Sequence, residues 1–512
     1  MGRGRRIIIN TLLLTLSSLL MRTIGMSFQV YLTNKIGASG VGLFQLIMSV
    51  YTLFSTFAIS GIRFATTRLV SEELGISPNG SITKVIRKCL IYALSFGTAA
   101  TVILLFTAEP IGIYWIKDSR SVLSLRILSL SLPFLGMSAV LSGYYTAVCR
   151  VFKSAFAQLL EQLTRIAIVV AIYSHIGSSN IELSCAVIMA GGALGDVVSF
   201  SIQYIMYIFD RKRYTEFRKT RGITPRIINI AFPLALSAYA RTALSTLQQL
   251  LVPYGFRKAG YSSEDALSAY GIVHGMVLPI LTFPSALYYS LGEIIVPELT
   301  EAQVRGEKQK IDRIVNRTLR ISTLIAFGLS VMIFRYSYEI GTLFYGIEDV
   351  GKYIRILSFV MPIMYLDSIT DGLLRGLGKH LNTMWINIAD SVISVALVYT
   401  LLPKWAVNGY LFMIAFTEVL NFALSMRRLS VTANVKFKFS VIAKSLFSAI
   451  GAVNIAMTVL RTCGLNLTST PLSVTAHIIL TILIYYALLK VLNCVEESDV
   501  LLFRSIFKKR QF

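Results

Sequence analysis

The chain is built from long apolar stretches, and no other feature narrows its fold as much. A helix of about 20 apolar residues spans a bilayer core. Stretches long enough to do so fall at 7–33, 41–66, 87–107, 123–149, 155–176, 183–209, 226–253, 268–295, 318–345, 353–376, 381–402, 407–426, 438–461 and 472–493. Soluble domains carry about 25% charged residues. Here 15% are charged and 55% are hydrophobic, so water is not the solvent for most of the surface. An all-α polytopic membrane protein of about fourteen transmembrane helices is expected.

Charge placement tests that count independently. With a cytoplasmic N-terminus, the connections after even-numbered segments should hold the lysines and arginines. They do, from Lys84, Arg87 and Lys88 through Arg211–Arg213, Arg305–Arg317 and Arg427–Lys438 to Arg504–Arg510. Roughly thirty basic residues fall on that side against about eight on the other, the strong asymmetry of the positive-inside rule. Adding or removing one crossing scrambles the pattern, so both termini are expected in the cytoplasm. The bias also accounts for the net charge of +23 through anionic lipid headgroups, with no role for nucleic acid. Arg3, Arg5 and Arg6 before an apolar run mimic a signal peptide, but the run exceeds a typical h-region of about 7–15 residues and is expected to be retained as the first helix. The five scattered cysteines have neither metal nor disulfide spacing and read as small buried hydrophobes.

The chain also repeats. Leu125-Arg126-Ile-Leu-Ser-Leu-Ser-Leu-Pro133 aligns with Ile354-Arg355-Ile-Leu-Ser-Phe-Val-Met-Pro362. The same register pairs Gly42 with Gly271, Glu72 with Glu301, Gly143 with Gly372, Arg150 with Lys379 and Glu161 with Asp390. Two pseudo-symmetric six-helix lobes are expected, 1–215 and 222–430, followed by two further helices and a basic tail over 431–512. Both lobes begin inside with an even helix count, which makes the repeat parallel about an axis along the membrane normal. Matched lobes that rock about a central cavity are the architecture of transporters.

Function should therefore sit with the ionisable residues inside the membrane, because each is costly there. Arg22 lies near the middle of the first segment and Arg241 near the middle of the seventh, each followed by threonine. Neither has an acidic residue three or four positions away, so both are expected to line a cavity and bind substrate. Arg63, Gln248 and His274 are further substrate-binding candidates. Glu161, Arg165, Glu293, Asp367 and Glu418 are candidates for ion coupling or ion pairing. Simpler readings stand beside these. Glu161 and Arg165 can form an intrahelical pair, Arg63 can snorkel at a helix end, Glu293 can lie at the cytoplasmic mouth, His274 can be an ordinary helix residue, and Asp367 and Asp371 can cap or pair with Arg375. Pro233, Pro253, Pro279, Pro284 and Pro297 are expected to bend segments 7 and 8, and Gly37, Gly40 and Gly42 to tighten the turn after the first segment. Enzyme motifs such as His-Glu-x-x-His or a phosphate-cradling glycine loop do not occur, and neither catalysis nor a cofactor is expected.

These residues resemble a family. Arg22-Thr-Ile-Gly25, then Leu32-Thr-Asn-Lys-Ile-Gly37-Ala-Ser-Gly40-Val-Gly42, is similar to the opening of the polysaccharide-biosynthesis branch of the multidrug/oligosaccharidyl-lipid/polysaccharide exporter superfamily. Leu125–Pro133 and Asp371-Gly372-Leu-Leu-Arg-Gly-Leu-Gly378 extend the likeness toward its stage V sporulation protein B group. The resemblance implies a flippase of the bacterial cytoplasmic membrane for undecaprenyl pyrophosphate-linked glycans, with peptidoglycan precursor lipid II as cargo for the spore cortex. Relatives specialised for lipid II use arginines on helices 1, 2 and 8. Arg22 matches the first, Arg63 sits further along the second, and the eighth offers His274. Alternatives are a cation-coupled multidrug exporter of the same fold, or a membrane scaffold that recruits cell-wall synthases.

Overall fold

A computed structural model describes the backbone of residues 3–76, 82–176, 180–211, 222–436, 439–464, 467–468 and 470–494. For 3–19, 174–176, 289–290, 293–294, 297 and 380 it describes backbone alone. Every regular element among the described residues is helical: α1 (Arg3–Ile59), α2 (Ile62–Ile76), α3 (Ile82–Pro110), α4 (Ser121–Ser129), α5 (Leu132–Ala147), α6 (Val151–Ile176), α7 (Ile181–Arg211), α8 (Ile223–Lys258), α9 (Ser263–Tyr270), α10 (Leu278–Thr282), α11 (Ser285–Val304), α12 (Lys308–Tyr345), α13 (Glu348–Leu357), α14 (Met361–Gly376), α15 (His380–Thr432), α16 (Phe439–Thr462) and α17 (Pro471–Val491). Wider π-turns, Ile111–Ile116 and Gly271–Val277, follow α3 and α9.

Ten of the described helical stretches are long and apolar enough to cross a membrane, and twelve when the bent pairs α4–α5 and α13–α14 each count as one. Two of the ten cover 56 and 52 residues. At 1.5 Å per residue these reach about 80 Å, more than twice a hydrocarbon core of about 30 Å. Each contains a break in its backbone, at Gly37 (φ 69°) in α1 and at Ala406 (φ 46°) in α15. Gly37 falls between the first and second stretches expected from sequence, and Ala406 between the eleventh and twelfth.

The internal repeat recurs in the backbone. Pro133 and Pro362 each occupy the second position of a new helix, where the missing N–H costs nothing, after bends of 45° and 57°. A hydroxyl from a neighbouring helix satisfies the carbonyl freed by each bend: Thr101 Oγ1 donates to Ser129 O at 2.7 Å, and Ser330 Oγ to Ser358 O at 2.6 Å. These four residues occupy equivalent places in the repeat. The turns after α5 and α14 match as well, closing with Arg150 N to Tyr145 O and Lys379 N to Leu374 O, both 2.8 Å. Their left-handed residues are Cys149 and Gly378.

Proline acts less uniformly than expected. α8 runs unbroken through Pro233 and Pro253, whereas the next crossing is interrupted by a π-turn and again before Pro284. A proline removes a single backbone hydrogen bond, a loss that a long helix can absorb without breaking. Of the three glycines after the first segment, Gly37 alone has positive φ. Gly42 serves close packing instead: a Cβ there would overlap the Leu267 carbonyl, and one on Gly271 would overlap that of Ala38.

Packing divides the chain into two compact units, Met1–Gly275 with Ser391–Val407, and Met276–Asp390 with Asn408–Phe512. In the first, α2, α3, α5, α7 and the start of α8 enclose a core containing Ile62, Leu69, Ile86, Tyr144 and Ile227, all below 2% exposed. In the second, α16 and α17 pack on α12. There the Tyr485 hydroxyl reaches Leu324 O at 2.6 Å and Ser445 Oγ at 2.7 Å, and its ring fills the space left by Gly328.

Candidate functional sites within the membrane

In the first unit a cavity of about 270 Å³ opens between α1, α6 and α7. Glycines bring its walls together. Gly191 and Gly195 let α7 approach the α6 backbone, where an added Cβ would stand 3.1 Å from the carbonyls of Arg165 and Glu161. Arg165 and Asp196 consequently line one cavity with Gln162 and, from α1, Gln29 and Tyr51. Asp196 is 6% exposed and accepts a hydrogen bond from the Tyr51 hydroxyl at 2.8 Å; that oxygen also contacts Ser131 Oγ at 2.8 Å. Arg165 Nη2 lies 3.5 Å from Glu161 Oε1, which is the intrahelical pair, while its buried Nε has no partner among the described residues. Gln29 donates to Gly275 O at 3.1 Å and so ties the cavity wall to the π-turn after α9.

Asp196 and Tyr51 were not singled out from sequence. Nothing within four residues of Asp196 is charged, but an acid ending Gly191-Gly-Ala-Leu-Gly195-Asp196 in an apolar run is itself a signal.

The arginines on which the sequence reading rests fall in this unit too. Arg22 is half-buried on α1, on the same helical face as Gln29 two turns later. Arg241 stands exposed at the middle of α8, with no acidic group within ion-pair distance among the described residues. Ser237, Arg241, Ser245 and Gln248 recur at helical spacing and form a polar stripe. Phe232, Leu236 and Leu247, all exposed, occupy the opposite face. The Arg241 stripe thus lies inside a membrane-spanning segment. Arg63 is exposed, but it belongs to the first turn of α2, after the chain breaks at Ser60 and Gly61 (φ 42° and 69°). That break puts it on α2 rather than on the helix that ends at Ile59. His274 lies in the π-turn after α9 with its ring stacked on Tyr270, centroids 5.1 Å apart, the arrangement of an ordinary packed side chain.

The second unit gathers acids across α14 and both ends of α15. Asn421 donates to Asp367 Oδ2 at 3.2 Å and to Asn387 Oδ1 at 3.1 Å, and Ser425 donates to Asp371 at 3.3 Å. Asp367 is 8% exposed. Its Oδ1, with one oxygen each of Asp390 and Asn421, is buried without a partner among the described residues. Glu418 lies within electrostatic reach of Asp390 and Asp371. Asp367 and Glu418 therefore share a cluster that also includes Asn387, Asp390 and Asn421. Asp367 bonds to an asparagine rather than Arg375. No three His, Cys, Asp or Glu residues are placed to hold a metal ion among the described residues. The side chain of Glu293 lies outside the described residues.

Comparison with known proteins agrees with this architecture. Residues 7–303 match the family described as polysaccharide biosynthesis protein, and residues 257–400 match MatE. Stage V sporulation protein B of Bacillus subtilis (strain 168) is 22% identical over 403 residues, covering 77% of each chain. Lipid II flippase MurJ of the same organism is 22% identical over 435 residues, covering 78% of each. Among solved structures, lipid II flippase MurJ in an inward closed conformation superimposes with a TM-score of 0.72 at 13% identity, covering 94% of this chain and 98% of that one. The chain is a multi-pass membrane protein that belongs to the polysaccharide biosynthesis protein family.

Proposed function

We propose that the protein is a flippase that moves an undecaprenyl pyrophosphate-linked glycan across the bacterial cytoplasmic membrane by alternating access, both termini lying in the cytoplasm. Lipid II is the cargo in this reading, with the spore cortex as its destination and cell-wall synthases as further partners. One observation carries it: Arg241, exposed and unpaired among the described residues, in the polar stripe of a membrane-spanning helix. A cation costs roughly 2.5–3.5 kcal/mol at the helix centre on insertion scales, which a merely structural helix has no reason to bear. The kinship with a sporulation protein and with a lipid II flippase supports the choice of cargo.

The chemistry follows from the headgroup. Sugars, peptide and pyrophosphate cannot enter hydrocarbon, because each polar group left without a partner costs several kcal/mol. A guanidinium offers two parallel N–H donors to one phosphate and replaces water there. Arg22 and Arg241 would hold the pyrophosphate, with Gln248 adding amide hydrogen bonds, while the prenyl tail stays in lipid. The acids around Asp367 and Glu418, and the Glu161–Arg165–Asp196 group, would couple turnover to an ion gradient or the membrane potential.

Purified protein in liposomes provides the test. Wild type should flip fluorescent lipid II, and Arg22→Ala and Arg241→Ala should each lose at least ten-fold in rate, about the worth of one charge-assisted contact at ~1.5–3 kcal/mol. Full activity in both well-inserted variants would refute the assignment of these arginines. Flipping of cationic drugs but not lipid II would favour a multidrug exporter, and no transport of either would favour a scaffold.

A further inference from the structure

A second cavity in the first unit, about 330 Å³, lies on the other side of α8 from the Arg241 stripe. It is an apolar slot walled by Leu53, Trp115, Leu247 and Leu250, with Tyr114 and Tyr254 toward its rim. At about the 30 Å³ that a liquid water occupies, it has room for on the order of ten small groups, the scale of one stretch of alkyl chain. Tyr114 and Trp115 are 73% and 54% exposed on the π-turn after α3, placed like the aromatic side chains that mark a membrane–water boundary.

Two lysines stand at the rim. Lys117 Nζ lies 4.7 Å from the centroid of the Tyr254 ring, and Lys258 Nζ lies 5.0 Å from the same ring and 5.1 Å from that of Tyr399. Neither has an acidic partner within ion-pair distance among the described residues. The adjacent Asp118 is held by Arg120 through Nη2 at 2.6 Å and Nε at 2.9 Å, and Asp265 is bound to Ser262 Oγ at 2.6 Å. Two ammonium groups thus share one tyrosine ring, and the contacts that hold Asp118 and Asp265 do not involve them.

The backbone adds an independent observation. Lys117 has φ 60°, in the left-handed region, where a side chain costs energy and glycine does not. The internal repeat places Gly346, φ 65°, at the equivalent turn. Gly112 and Gly341 precede these two by the same interval. One copy of the turn thus uses the unstrained residue, and the other accepts strain to hold an ammonium group over the slot.

We propose that this slot binds an anionic phospholipid of the surrounding bilayer, with its phosphate on Lys117 and Lys258 and one acyl chain along Leu247 and Leu250. The occupant is a bilayer lipid rather than the transported headgroup because the slot is lined by apolar side chains on the side of α8 away from Arg241. Charge selects the lipid class and the slot selects a chain. A phospholipid held there bridges α8 and the α3 turn.

Native mass spectrometry of the full chain in detergent, titrated with phosphatidylglycerol or phosphatidylcholine of the same chain length, tests the site. Wild type should retain one phosphatidylglycerol at least five-fold more tightly than phosphatidylcholine, with the preference shrinking as salt rises. Lys117→Gly, which relieves the strained backbone, and Lys258→Gln should each reduce that preference, and together abolish it while the protein stays folded by thermal melt. Leu247→Trp, which fills the slot, should weaken retention of both lipids. Glycerophosphoglycerol, a headgroup without chains, should not compete. Unchanged retention in the lysine double variant or in Leu247→Trp would overturn the proposal, and competition by glycerophosphoglycerol would reduce it to a phosphate site.

Discussion

Tyr51 shows how little of a buried site lies near itself in sequence. Its hydroxyl donates to Asp196 from 145 residues away. An acid so enclosed needs every donor it has, because a buried group stripped of its partner incurs its desolvation cost. Tyr51→Phe is therefore expected to destabilise the protein by about 1–3 kcal/mol, read as a lower thermal midpoint in detergent. Asp196→Asn, which keeps an oxygen for Tyr51 to donate to, should cost less. The sequence exposed Glu161 and Arg165 because a pair four residues apart is written in the chain itself. It passed over Asp196 because that residue's partner lies on another helix. Arg63 is the reverse case. It was legible as a charge in an apolar stretch, but the left-handed Ser60–Gly61 break that moves it onto α2 was not.

Among the elements, breaks matter as much as helices. The repeat aligned Pro133 with Pro362, and both prove to restart a helix after a bend. Thr101 and Ser330, which satisfy the carbonyls at those bends, could be found only once neighbouring helices were in place. The repeat also paired Gly42 with Gly271, and these two pack against each other where α1 meets the end of α9. Backbone cannot yield as a side-chain tip can. Gly42→Ala and Gly271→Ala should each lower the thermal midpoint by several degrees, since overpacking costs typically ~1–3 kcal/mol. Gly275→Ala, whose added methyl meets the Val41 side chain, should cost less. Equal midpoints across all three would refute this account of the corner.

For the whole molecule, the orientation proposed from charge bias can be checked directly. Single cysteines replacing Ser263 and Lys308, in a background lacking the five native cysteines, probe opposite ends of the crossing that contains α9 and α11. A membrane-impermeant maleimide should label position 263 in intact cells and position 308 only after permeabilisation. The reverse pattern would invert the topology and with it the direction of transport.

Apolar length and charge bias determined from sequence that the chain is helical and polytopic, because transfer free energies add along a chain whatever its partners, and the match of Leu125–Pro133 to Ile354–Pro362 disclosed the internal repeat. The tertiary structure decided which polar groups meet. It joined Tyr51 to Asp196, gathered Asn387, Asp390 and Asn421 around Asp367, and set Lys117 beside Lys258. Those encounters depend on how each helix is rotated and where it breaks. Both are settled by packing against neighbours hundreds of residues away, through glycines and bends whose effect is felt only when the helices touch.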